Sequence, residues 1–212
     1  MRSRVAALVI IAAIFSTTAQ AKKAPPAVWQ VMRSADPVTG VTTCAVVASD
    51  TAGGLRFTQT GALYPVVEMN STHGLLVGVS SGGRLRLPVG DILWRIDDHP
   101  HRVVKAADNP ALAGQASEVP AATVEALTAQ TMRMVQAMTA TSTMAGGAAA
   151  REMLDEMLAG QTLLFRSAST ALQIGIPDYS ALRAGQVTAK GIRPYPLDAS
   201  FRAGLVACGI TG

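Results

Sequence analysis

Two cysteines, Cys44 and Cys208, stand near opposite ends of the chain and constrain its fold more than any other pair of residues. If they pair, the C-terminal tail is tied to an early segment. Closing a loop of that length limits the unfolded chain by about 5 kcal/mol in the chain-entropy picture. The alternative is two buried, unpaired thiols, which would impose no such tie. A redox-active CxxC is excluded by the spacing. The choice therefore turns on compartment, because disulfides persist where the surroundings are oxidising.

The N-terminus speaks to compartment. Residues 1–21 read MRSRVAALVIIAAIFSTTAQA, with Arg2 and Arg4 ahead of an unbroken apolar run from Val5 to Phe15. Ala19-Gln20-Ala21 then forms a small-x-small cleavage site. This is the layout of a secretory signal peptide. The run is about half the ~20 residues that span a bilayer, which argues against a retained anchor. The expected organisation is a signal peptide at 1–21, a short leader at 22–27 and a single globular domain at 28–212. An exported, periplasmic or secreted protein favours the disulfide.

Removing the segment changes what the charge means. The full chain of 212 residues carries a formal +4. Arg2 and Arg4 leave with the signal, so the mature domain stands at about +2. Its arginines are scattered and no basic run interleaves with aromatics, so nucleic acid is not an expected partner. At 49% apolar and 15% charged residues, disorder is excluded as well. No other long apolar run follows, so no integral membrane segment is expected after cleavage.

The mature chain reads first as short strands. Val28–Ser34 and Val41–Ser49 flank Asp36-Pro37-Val38-Thr39-Gly40, a hairpin turn with proline early and glycine late. Leu55–Thr60, Leu63–Met69, Leu75–Val79, Arg84–Leu87 and Asp91–Ile96 follow at short intervals, and Pro65 suggests an edge position or a strand start. Asn70 to Gly74 is a turn, which is also the reading given to the Asn70-Ser71-Thr72 sequon. Beyond Asn109-Pro110 the pattern changes. Residues 106–119 read as a loop, and a helix opens near Pro120. Val124, Leu127, Met134, Val135 and Met138 then mark one apolar stripe. Thr139 to Gly147 breaks that helix. A second runs from Ala148 to Ala159, with Met153, Leu154, Met157 and Leu158 on one face and Gly160 as its C′ glycine. Gln161–Ser167 is a further strand, and 177–196 is loop. Asp198 caps a last short helix carrying Phe201 and Leu205 into the core. The fold class expected is α+β: β-rich, with sandwich or barrel-like antiparallel sheets and two to three helices in the C-terminal half.

No residue pattern selects a catalytic group, a cofactor or a metal. The densest polar cluster is Trp94-Arg95-Ile96-Asp97-Asp98-His99-Pro100-His101. Its carboxylates and imidazoles are ordinary ligands for zinc or another transition metal, and they equally suit a polar turn after a strand. Gly78-Val79-Ser80-Ser81-Gly82 matches G-x-S-x-G, yet a nucleophile elbow needs a strand-turn-helix context, whereas Gly83 onward reads as strand. His73, His99 and His101 are the possible bases. A metal-dependent or serine hydrolase using the Asp97–His101 region is thus the enzymatic alternative to a non-enzymatic protein. Surface residues Trp94, Arg95 and Asp97 are the candidate interaction site. The methionines at 132, 134, 138, 144, 153 and 157 suit either helix packing in the core or an adaptable face toward a partner.

The order of elements is itself suggestive. A strand with Trp29 leads through a turn with Asp36 to a strand with Cys44. A later strand ends in Arg95-Ile96-Asp97-Asp98. A helix ending Met157-Leu158-Ala159-Gly160 precedes Leu163-Leu164-Phe165-Arg166, and a short helix reaches Cys208-Gly209. Over most of the mature chain this layout resembles exported bacterial proteins of the invasion-associated locus B type and periplasmic type VI secretion-associated proteins. It differs by the insertion at 106–149. The resemblance implies a small β-sandwich with helices in the periplasm or at the cell surface, usually without an assigned enzyme activity. A partner, on this reading, is another envelope protein.

Overall fold

The computed structural model describes residues 27–48, 62–82, 86–113, 124–168, 186–188 and 191–211. The expected signal peptide at 1–21, the expected leader up to residue 26 and the expected strand Leu55–Thr60 lie outside them. In chain order the elements are β1 (Trp29–Ala35), β2 (Thr42–Ala48), β3 (Leu63–Asn70), β4 (Gly74–Ser81), β5 (Ile92–Ile96), β6 (Arg102–Val104), a 3-10 turn (Ala106–Asp108), α1 (Pro110–Ala113), α2 (Val124–Thr139), β7 (Ser142–Gly146), α3 (Gly147–Ala159), β8 (Thr162–Ser167), β9 (Gln186–Thr188), β10 (Gly191–Arg193), β11 (Tyr195–Pro196) and α4 (Ala199–Ala207). One sheet has five strands in the order β1-β2-β3-β4-β7; a second has four, β11-β8-β5-β6; β9 and β10 form a separate ribbon. All pairs are antiparallel. The chain is α+β with antiparallel sheets, both open, and its three longest helices are all in the C-terminal half.

Local chemistry explains the hairpins. Between β1 and β2 the Asp36 carboxylate accepts the Val38 N–H at 2.8 Å, the Thr39 N–H at 3.3 Å and the Thr39 hydroxyl at 2.8 Å. These bonds favour the ionised form and hold its carboxyl below the ordinary range, with the Val38 N–H the largest cause. Gly40 closes the turn at φ +72°, a conformation that favours glycine. Between β3 and β4 the Asn70 side chain plays the same part, accepting from Thr72 and His73 N–H.

Strand period then divides the five-stranded sheet into two faces. On the inner face lie Trp29, Val46, Val67, Val77, Val79 and Ala145, all buried. They share one core with Ala150, Met153, Leu154 and Met157 of α3, Phe201 and Leu205 of α4, and Ile92, Trp94, Leu163 and Phe165 of the second sheet. Trp29 meets Phe201 at 4.7 Å between ring centroids and Tyr195 at 6.4 Å; Tyr195 meets Phe165 at 5.7 Å. Each such buried side chain contributes about 1.5–3 kcal/mol by area. On the outer face the register aligns Ala45, Glu68 and Leu76, and then Val47 and Val66. Ala45, Val47, Tyr64, Val66, Leu76 and Met144 form a second, smaller buried cluster there.

Several local expectations are corrected. Pro65 sits in an interior strand, because β3 lies between β2 and β4. The last registered pair with β2 is Val47–Val66, so Pro65 falls just past it and its missing N–H breaks no bond there. The helix break at 139–147 is a strand, β7, paired with β4 from Ser80–Ser142 to Leu76–Gly146. Thr143 anchors it, fully buried, with its hydroxyl on Gly90 O at 2.6 Å. Of the expected strand Arg84–Leu87, Arg86 and Leu87 are described and belong to no strand. Loop readings give way to the 3-10 turn with α1 and to the β9–β10 ribbon, and β6 stands where no element was expected. The proline-rich 194–196 stretch supplies only β11, an edge strand, as proline's missing donor requires. Gly160 is not a left-handed cap, since its φ is −87°. It is needed for space instead: a Cβ there would stand 2.3 Å from Ile96 Cγ2.

Helix α2 turns its apolar stripe outward. Leu127, Met134, Val135 and Met138, left open between core packing and a face toward a partner, are 67%, 59%, 51% and 62% exposed, and Met132 is exposed too. Ala137, beside that stripe, is buried. Met144, Met153 and Met157 are buried, so the methionines divide between core and surface.

Candidate binding cleft on the outer face of the five-stranded sheet

Cys44 and Cys208 are bonded, with Cα atoms 5.5 Å apart, and no free cysteine remains among the described residues. The two-thiol alternative is thereby overturned. The sequence places the partners through α4. Asp198 caps it as expected, accepting from Ser200 and Phe201 N–H. Gly204 lets the helix lie against β2, for a Cβ would meet Val46 Cγ1 at 2.7 Å. Ser200 Oγ accepts the Trp29 N–H, and Arg33 donates to Ala207 O. Cys208 follows directly on that anchored end.

The candidate interaction residues do not form one surface. Trp94, expected at the surface, is 1% exposed and stacks on Phe165 inside the core. Its neighbours Ile92 and Ile96 share that inner face, and the two-residue period carries Trp94 with them. Arg95 points out and is exposed. Asp97 is half-buried and engaged. It sits at φ +46° after β5, and its carboxylate accepts the Thr162 hydroxyl and N–H at 2.7 Å each, together with the Gln161 N–H. Asp97 thus ties the end of β5 to the start of β8. The Thr162 hydroxyl is the largest cause of a carboxyl held below its ordinary range, followed by the Gln161 N–H; partial burial opposes them.

His99 and His101 are exposed on the turn beyond. Among the described residues no three His, Cys, Asp or Glu side chains stand together as metal ligands. Ser80 lies within β4, registered with Tyr64 on one side and Ser142 on the other. Among the described residues no helix follows β4 before β5. His73 lies in the β3–β4 turn.

A cleft of about 540 Å³ opens instead on the outer face of the five-stranded sheet. Its size falls in the ordinary range for small-ligand sites, roughly 300–1,000 Å³. Ala45, Val47, Val66, Leu76 and Met144 supply an apolar floor. Glu68, Asn70 and His73 lie at one end, where β3 turns into β4. Asn70 Nδ2 donates to Glu68 Oε1 at 3.0 Å and to Thr43 Oγ1 at 3.3 Å. Ser80, Gly82, Ser142 and Arg86 line the other end. Arg86 belongs there because its flanking residues are pinned there: Gly82 donates to Ala62 O, and Val89 to Ala140 O beside β7. The register aligns Glu68 with Leu76, and Ser80 lies four residues further along β4. At about 3.3 Å per residue the two ends are about 13 Å apart.

Sequence reasoning missed this site. Glu68 and Asn70 read as strand end and turn, and Arg86 as part of a short strand. A signal was present nonetheless. Leu63 to Val67 and Leu75 to Val79 run apolar without alternation, as strands covered on both faces do. No family model, no curated protein and no solved structure matches the chain. Among the described residues no helix is long and apolar enough to cross a membrane.

Proposed function

We propose that the chain is a non-enzymatic binding protein of the bacterial envelope, exported by cleavage after Ala21, that holds its ligand in the outer-face cleft. The cleft is the observation that carries this reading: an apolar floor of ligand size with a few polar groups at its ends. The disulfide suits an oxidising compartment, and the resemblance to invasion-associated locus B and type VI secretion-associated proteins points the same way. The hydrolase alternative finds less support, because the Asp97 carboxylate is spent on Gln161 and Thr162.

The test uses the neutral dye N-phenyl-1-naphthylamine as probe. Wild-type protein gives saturable fluorescence enhancement, and Ser80→Trp, which fills the cleft, weakens it at least tenfold with an unchanged circular dichroism spectrum. Equal dye affinity in S80W would sink the assignment of the cleft. Export is checked by N-terminal sequencing of the periplasmic form, expected to begin at Lys22.

A second reading, a structural subunit packing on a partner through its Met-rich helices, is favoured by α2. Its exposed Leu127, Met132, Met134, Val135 and Met138 present an apolar face. Under mild peroxide these three methionines oxidise readily in the purified protein. Protection of them in intact envelope supports the reading, and equal oxidation in both settings removes it.

A further inference from the structure

We propose that the cleft takes a short apolar peptide of about four residues with both termini free, its amino group at Glu68 and its carboxylate at Arg86. This rests on the reading of the cleft as the binding site. The observation is the order of its lining: an acid, an apolar floor, a base.

Glu68 stands at the end where β3 turns, half-buried, its carboxylate oriented by the Asn70 amide. That amide is itself held from the other side, because its oxygen accepts the Thr72 and His73 N–H groups. The carboxylate is therefore presented by a braced side chain. Among the described residues no cation is salt-bridged to it; the ion pairs recorded there are those of Arg102 with Glu152 and Glu156. Arg86 at the far end is exposed and enters no ion pair among the described residues. Arg33 also lines the cleft, but its guanidinium donates to Ala207 O. Glu68 and Arg86 are thus opposite charges facing one cleft with no ion pair among the described residues, and Ala45, Val47, Val66, Leu76 and Met144 lie between them.

Charge complementarity selects the occupant. The backbone span from Glu68 to Ser80, near 13 Å, sets the scale on which the ligand's cation and anion are separated. An extended chain advances about 3.3–3.6 Å per residue, so four residues fit and a single amino acid falls far short. A fatty acid or other anionic amphiphile fills the apolar floor and answers Arg86 but leaves Glu68 without a partner. A free peptide answers both, because its amino group has a pKa near 7.7–8.0 and is mostly protonated at neutral pH. The floor's branched and thioether side chains suit small aliphatic residues.

Isothermal titration at pH 7 with Ala-Leu-Val-Ala tests the assignment. Alongside it go the N-acetyl and C-amide forms of the peptide and the variants Glu68→Gln and Arg86→Gln. N-acetylation is expected to weaken binding to wild type about tenfold and to change binding to E68Q less than twofold. Amidation is expected to do the same for wild type against R86Q, and salt weakens only the free peptide appreciably. If both capped peptides bind wild type as tightly as the free one, the charge assignment fails. If the free peptide gives no heat at millimolar concentration while the dye still binds and S80W still blocks it, the peptide inference fails and the cleft reading stands. Loss of dye binding as well sinks both.

Discussion

The two faces of the five-stranded sheet are built from alternate residues of the same strands, yet they end differently. Val46, Val67 and Val77 face inward and are wholly buried; Val47, Val66 and Leu76 face outward, are nearly as buried, and floor an open cleft. The inner face is closed by α3, α4 and the second sheet, and a covalent bond holds one of those covers in place. The difference teaches that burial of the floor does not identify the functional face. What separates the faces is the cover: complete on one side, and partial on the other with polar groups left at its ends.

Mutations sharpen the contrast in descending order. Phe201→Ala removes the fully buried ring on Trp29 and is expected to cost about 3–5 kcal/mol in denaturant unfolding. A loss no larger than that of an outer-face truncation such as Leu76→Ala would break the comparison. Replacing both Cys44 and Cys208 by serine is expected to cost about 2–5 kcal/mol. The variant still folds, because Gly204 on Val46, Ser200 on Trp29 and Arg33 on Ala207 continue to seat α4. Gly204→Ala forces a Cβ against Val46 and is expected to lose about 1–3 kcal/mol, read as a lower chemical midpoint.

Asp97→Ala removes the acceptor that joins β5 to β8 and is expected to cost about 1–2 kcal/mol. The sign with pH follows from its depressed carboxyl. The contribution is full above the unfolded-chain value near 3.9 and is lost as pH falls through the lower folded value. The gap between wild type and D97A therefore closes in acid; a gap constant down to pH 2 would contradict the assigned role. Smallest of all, Ser80→Trp on the outer face is expected to change stability by about 0.5 kcal/mol or less while weakening dye binding at least tenfold.

What could be read in advance follows the reach of local chemistry. Asp36 with Gly40, Asn70 with Gly74 and Asp198 ahead of Phe201 announce their turns and cap because the bonds involved span two or three residues. The pairing of Cys44 with Cys208 was also open to inference, since the chain holds no other cysteine. β7 was not legible, because Ser142 to Gly146 has little strand character of its own and is drawn into the sheet by β4. Periodicity showed that Leu127, Met134 and Met138 share a side of α2 but could not say which side meets the body; the small side of Ala137 does. Trp94 was misplaced because a polar neighbourhood in sequence says nothing of the face a strand turns inward. The cleft escaped because Glu68 and Arg86 meet one space only through the stacking of several strands.

The Cys44–Cys208 bond closes a covalent ring with a sequence separation of 164 residues. The ring encloses both sheets and the three longest helices, apart from strand β1 outside it. A single proteolytic cut anywhere inside leaves two fragments still joined, which separate only when a reductant is added. One nick in a surface segment therefore does not release half the domain.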